Sequence, residues 1–187
     1  MKNGKISFRP LKETDFPLMH KWLNTPHVSE WWSLDRNHHP TPAEVAAHYS
    51  PRIAAGQNVD CYIIYNQAKP IGMIQSYDLD KEPEEKVLFG VEGKCTGIDM
   101  FIGEADYVHR GLGADIIRSF LKDIVFARPE IECAVIDPSA DNKIAIRAYE
   151  KAGFKYSRTV WYEPDLIYEA IMTIRRDAIM PGKRVKS

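Results

Sequence analysis

Apolar positions recur through the first quarter of the chain at the spacing of amphipathic helices. A short strand is expected over 6–8. Phe16, Met19, Trp22 and Leu23 then form one stripe, so a helix capped by Thr14 should run to about Leu23. Thr41 followed by Pro42 marks a second helix start, which Val45, His48, Tyr49 and Ile53 continue to a stop near Gly56. The period then changes. CYIIY (61–65) and PIGMIQSY (70–77) flank a short turn and read as a hairpin. The charged stretch 78–94 holds Pro83, Gly90 and Gly93 and reads as a surface loop, with a frayed strand over 87–89. TGIDMFIG (96–103) is a further strand. Helical spacing returns over 114–126, where Ile116, Ile117, Phe120, Leu121 and Ile124 share a face. A buried strand CAVID (133–137), a helix over 143–152 and two strands near 155–162 and 167–174 complete the pattern. This order predicts a mixed α/β fold with one central sheet, in a single domain over 1–180 with a polar tail over 181–187.

Composition narrows the classes of function. With 25 Lys and Arg against 26 Asp and Glu, the net charge of −1 gives no electrostatic reason to expect nucleic acid or an anionic membrane as partner. The apolar runs are too short to span a bilayer, and the first residues, MKNGKISFRPL, lack the apolar core of a signal peptide. Cys61, Cys95 and Cys133 are odd in number and widely spaced, and read as separate buried thiols in a reducing compartment, with the cytoplasm as the default location. His38 and His39 are adjacent and the other histidines scattered, so no metal is expected.

The first candidate for chemistry is VHRGLGAD (108–115), between a strand and a helix. Gly111 and Gly113 permit backbone angles closed to other residues, so the N–H groups of Val108, His109, Arg110, Gly111, Leu112, Gly113 and Ala114 can converge on an anion at the positive end of the helix. Ile116 stands where a dinucleotide-binding fingerprint needs its third glycine, and no Gly-Lys-Ser/Thr follows. A pyrophosphate held by main chain fits what remains.

NKIAIRAYEKAGF (142–154) adds a second half to this signature. Together the two segments resemble the GNAT superfamily of N-acetyltransferases. Asn142, Ala145, Tyr149, Gly153 and Phe154 match its N-x-x-A-x-x-x-Y-x-x-x-G-F pattern, in the expected order after the Gly-x-Gly turn. The family often has Gln or Arg where this chain has Val108, which shifts pyrophosphate binding toward backbone amides. The resemblance implies a GNAT fold, a central mixed and mostly antiparallel sheet with about four helices, and acetyl-CoA as cosubstrate. It implies Tyr149 as proton donor to the departing thiolate and Asn142 as a contact to the pantetheine arm, beside its plain role as helix cap.

WLNTPHVSEWW (22–32), PIGMIQSY (70–77), GID (97–99), DPSADNKIAIRAYEKAGF (137–154) and Pro164-Asp165 are similar to aminoglycoside 6′-N-acetyltransferases. That resemblance implies acetyl transfer to a polycationic amine of an antibiotic. It gives Asp99 the role of general base and Asp137 and Asp165 the role of holding other ammonium groups. The residues support it: Asp99 is a charge in mid-strand, Asp137 ends a buried strand, and Glu84 and Glu85 are further acidic candidates. Trp31 and Trp32 lie in a loop-like stretch after the first helix, and one of them should line a ligand wall. Other acceptors, a siderophore precursor or a protein amino terminus, and a non-catalytic coenzyme-binding module stand as alternatives. The chain is expected as a monomer or homodimer.

Overall fold

The computed structural model describes residues 4–32, 38–54, 56–164 and 166–182. Seven strands lie in the order β1-β2-β3-β4-β5-β7-β6. They are β1 (Ile6–Pro10), β2 (Val59–Asn66), β3 (Lys69–Asp78), β4 (Cys95–Ile102), β5 (Cys133–Ile136), β6 (Lys155–Tyr162) and β7 (Ile167–Arg175). β4 and β5 pair parallel, whereas β1 with β2, β5 with β7 and β6 with β7 pair antiparallel. The mixed, mostly antiparallel sheet expected from the sequence is therefore present. The described helices are α1 (Phe16–Leu23), α2 (Pro26–Trp32), α3 (Pro42–Ile53), α4 (Pro83–Phe89), α5 (Leu112–Phe120), α6 (Lys143–Ala152) and the single turn α7 (Arg176–Ile179). None is long and apolar enough to cross a membrane.

The chain divides into two compact units, Met1–Gln75 with Met100–Arg110, and Ser76–Asp99 with Gly111–Ser187. In the first, Met19, Trp22, Val28, Val45, Tyr49, Ile63 and Met73 form the core. α3 begins as the sequence indicates: the Thr41 hydroxyl accepts from Glu44 N while the Glu44 carboxylate accepts from Thr41 N, satisfying two donors at once. The first helix starts later than the Thr14 cap implies, because residues 13–15 form a 3-10 turn. Gly103 is required by packing, since a Cβ there would stand 2.1 Å from Trp22 Cγ. The loop-like stretch that carries Trp31 and Trp32 is helix α2.

The second unit departs from expectation in two places. The charged stretch 78–94 contains helix α4, which starts at Pro83 and ends at Gly90 in a left-handed conformation, φ 64°. The charges that suggested a loop are paired among themselves: Lys86 with Asp80 at 2.5 Å, and Lys94 with Asp78 at 2.6 Å and Asp80 at 2.8 Å. Leu79 and Phe89 of the stretch are buried in the core with Cys95, Cys133, Val135 and Ile171, whereas Val87 is exposed. Second, Cys95 and Cys133 are not separate thiols but a disulfide, and only Cys61 is a buried thiol. The parallel register sets Cys95 directly beside Cys133 with Cα atoms 4.7 Å apart, within bridging distance. Thirty-eight residues separate them in sequence, so spacing gave no sign of it.

Candidate functional site

α6 explains most of the Asn-to-Phe motif in structural terms. Asn142 caps the helix, its Oδ1 accepting from Ala145 N at 3.0 Å. Gly153, at φ 109°, stops it in the left-handed region, and the Tyr149 carbonyl accepts from Gly153 N at 3.1 Å and Phe154 N at 3.0 Å. Phe154 is buried with its ring 6.3 Å from that of Tyr149. None of these roles needs a phenol on Tyr149. Its hydroxyl is therefore the part of the motif left for chemistry.

Asp99 and Asp137 are brought together by the β4–β5 register. The parallel ladder pairs Cys95 with Cys133 and Gly97 with Val135, so two residues further along the same face come Asp99 and Asp137. Pairing stops at Gly97 and Val135 although β4 continues to Ile102, and β5 ends at Ile136 just before the turn at Pro138. The two aspartates thus stand at the carboxyl end of a ladder that has opened.

Two glutamates join them. Glu169 on β7 is buried and bridges to Ser139, which follows Asp137 by two residues. Glu85 comes from the first turn of α4 and accepts from the Tyr162 hydroxyl at 3.3 Å, while one of its oxygens is buried without a hydrogen-bond partner. The proximity of the four carboxylates is expressed in their electrostatics. Burial, then Asp99, Glu169 and Glu85, push Asp137 well above the ordinary aspartate range. Asp137 keeps part of its surface open, and crowding by protein together with like charge outweighs that opening. Burial also raises Glu85, with Glu82 and Asp99 adding to it and hydrogen bonds from Tyr162 and Tyr77 opposing. Tyr149 is raised by burial and then by Asp99 and Asp137, so its phenol holds its proton firmly. Tyr77 is raised well above its usual value by burial and then by Asp137, Asp99, Glu85 and Glu169.

Glu169, Tyr77 and Tyr162 were not legible as site residues from the sequence. Each reaches the cluster through strand pairing or an α4 contact distant in sequence. Glu84, by contrast, is exposed on α4. Asp165 lies outside the described residues. Trp31 and Trp32 belong to the first unit. Trp32 is packed there, its ring 4.8 Å from Phe101 and its Nε1 donating to Tyr49 Oη at 3.3 Å, whereas Trp31 is exposed.

The Gly-x-Gly turn is built differently from the simple expectation. Gly111 has φ 76° and caps α5, with nothing within 4 Å of an added Cβ. His109 also has positive φ, 60°, which its residue type did not announce. Gly113 is helical. A Cβ on Gly113 would stand 3.3 Å from Ala148 Cβ, so this glycine serves the packing of α5 on α6 instead of the turn. The first N–H groups of α5 have no acceptor within the helix and lie next to the open side of Gly111. Among the described residues no group of three or more His, Cys, Asp or Glu could hold a metal ion.

Sequence comparison identifies the class of protein that carries this sheet as an acyltransferase. The family model described as an acetyltransferase (GNAT) domain matches residues 12–161, and the chain belongs to that family. It is 36% identical over 162 residues to the aminoglycoside N(6′)-acetyltransferase type 1 of Klebsiella pneumoniae, covering 84% of this chain and 78% of that one. Among solved structures, the aminoglycoside acetyltransferase AAC(6′)-Ib with coenzyme A and kanamycin superposes with TM-score 0.77 at 32% identity, covering 96% of this chain and 100% of that one. The same enzyme with paromomycin and acetyl-CoA gives TM-score 0.78 at 32% identity, covering 97% and 99%.

Proposed function

We propose that this chain transfers the acetyl group of acetyl-CoA to the 6′-amino group of an aminoglycoside. One observation carries the proposal: Asp99 and Asp137 stand on one face at the carboxyl end of the β4–β5 ladder, and Glu169 and Glu85 come close enough to raise Asp137 together with Asp99. An aminoglycoside is a compact array of ammonium groups, and its name is attached to the relatives matched above.

In this scheme the backbone from Val108 to Ala114 receives the coenzyme pyrophosphate. The positive φ of His109 and Gly111 and the open space beside Gly111 suit an anion there. Asn142 combines its cap with a contact to the pantetheine arm. Asp99 accepts the proton that an ammonium must lose before its nitrogen becomes a nucleophile, and Asp137 and Asp165 hold neighbouring ammonium groups. Glu85 and Glu169 extend the anionic wall, and Trp31 is proposed as a substrate contact. Tyr149, whose pKa is raised by burial and like charge, keeps its proton until a thiolate develops beside it. The catalytic domain is taken as residues 1–180 and acts as a monomer or homodimer, without nucleic acid or membrane.

Thiol release from acetyl-CoA in the presence of kanamycin or tobramycin tests the proposal. Stoichiometric release is expected with aminoglycosides carrying a 6′-amine and none with paromomycin, which carries a hydroxyl there. Silence across a panel of 6′-amino aminoglycosides would overturn it.

A further inference from the structure

Lys69, Tyr107 and Arg110 form a grouping in the first unit for which neither the core nor the acetyl-transfer chemistry accounts. The Lys69 ammonium lies 5.1 Å from the Tyr107 ring centroid and the Arg110 guanidinium 5.4 Å from it. The ring is held in place by a 3-10 turn, with Tyr107 N donating to Glu104 O at 2.9 Å and Val108 N to Ala105 O at 3.1 Å. Asp106 and Glu104 are the carboxylates nearest in sequence. Asp106 is exposed, and Glu104 accepts from Lys21 Nζ at 2.6 Å and Trp22 Nε1 at 2.8 Å, which lower its pKa, with the Lys69 charge adding to that lowering. Among the described residues neither Lys69 nor Arg110 forms an ion pair, and both are exposed.

Two cations gathered on one ring repel each other, and an anion placed between them removes that repulsion. The ring also restricts both long side chains in advance, which lowers the entropy lost when they close on a ligand. Arg110 immediately precedes Gly111, so the pair lies one residue in sequence from the start of α5. Coenzyme A carries a pyrophosphate and, separately, a ribose 3′-phosphate that is largely dianionic at neutral pH. The main chain of 108–114 serves the first. We propose that Lys69 and Arg110, organised by Tyr107, bind the second, so that the enzyme distinguishes acetyl-CoA from acetyl-dephospho-CoA. This inference rests on the acetyl-CoA reading above.

The test is a two-by-two comparison of kcat/KM for acetyl-CoA and acetyl-dephospho-CoA with the wild-type chain and Lys69→Met, at a fixed saturating aminoglycoside. The wild type should prefer acetyl-CoA by about tenfold, with the preference shrinking at high salt. Lys69→Met should lose most of that preference, and Tyr107→Leu should reduce it. As a check on the source of the phosphate, adenosine 3′,5′-bisphosphate should compete with acetyl-CoA better than adenosine 5′-monophosphate in the wild type and no better in Lys69→Met. A preference that survives Lys69→Met unchanged, or equal use of both thioesters by the wild type, overturns the proposal while leaving acetyl transfer intact. Failure of both thioesters to bind by calorimetry would instead overturn the acetyl-CoA reading itself.

Discussion

Gly97 is a glycine because the ring of Tyr77 lies across it: a Cβ at position 97 would stand 2.2 Å from Tyr77 Cζ. The closeness has a consequence for the site. Gly97 is the last residue of β4 paired with β5, two positions before Asp99 on the same face. Tyr77 is therefore held over the start of the carboxylate cluster, and its phenol joins the hydrogen bonding that lowers the charge burden on Glu85.

Gly97→Ala should accordingly expel the Tyr77 ring or bend β4. The expected outcome is a loss of about 1–3 kcal/mol in denaturant unfolding, as for other overpacked positions, together with weaker aminoglycoside binding. Tyr77→Phe keeps the ring and should leave stability nearly unchanged. Equal stability of Gly97→Ala and wild type would show that the ring has other places to go.

Asp137 gives a pH-dependent prediction. Its carboxyl is raised in the folded protein, so below the unfolded value of about 4 both states are protonated and no penalty exists. As pH rises from there, the unfolded chain ionises first, and folding loses stability until the raised folded value is passed. Asp137→Asn removes this loss. Its Tm should exceed that of the wild type at pH 7 by roughly 2–4 °C for each kcal/mol relieved, and the difference should vanish near pH 4. Aminoglycoside affinity should fall in the same variant. A Tm gain that persists unchanged to pH 4 would contradict the electrostatic cause.

Gly111 tests the backbone cradle separately from side chains. Its φ of 76° strains any residue with a Cβ, although no atom stands in the way. Gly111→Ala should cost about 1–2 kcal/mol in stability and raise the acetyl-CoA KM, whereas Gly111→Asn, which tolerates the left-handed region better, should keep more of both. Identical KM in all three would remove this turn from coenzyme binding.

The proposed mechanism assigns the proton transfers to Asp99 and Tyr149. Tyr149→Phe preserves the buried ring and should fold normally, yet lower kcat by about 100-fold or more. Asp99→Asn should do the same and also alter the pH profile of kcat/KM. Single-turnover thiol release measures both. Turnover unchanged in both variants would leave a coenzyme-binding protein without this chemistry.

The parts of this molecule that were legible in the sequence are those governed by local rules. α6 announced its cap, its stop glycine and its period within twelve residues, and β6 and β7 lie where two strands were expected. α4 was hidden because Lys86 pairs with Asp80, and Lys94 beyond the helix with Asp78 and Asp80, contacts that no helical pattern reveals. Asp99 and Asp137 stood out because a charge at the middle or end of an apolar strand is locally anomalous. Glu169 is as buried as the core, but its role depends on β7 returning beside β5. The disulfide depended in the same way on a parallel register between strands far apart in sequence.

The most direct measurement is the position of the acetyl group on the product. Kanamycin incubated with acetyl-CoA and this protein should yield, by NMR, a single amide at the 6′ nitrogen, with the other amines unmodified. Acetyl on a different nitrogen, or on none, would contradict the placement of the 6′-amine beside Asp99.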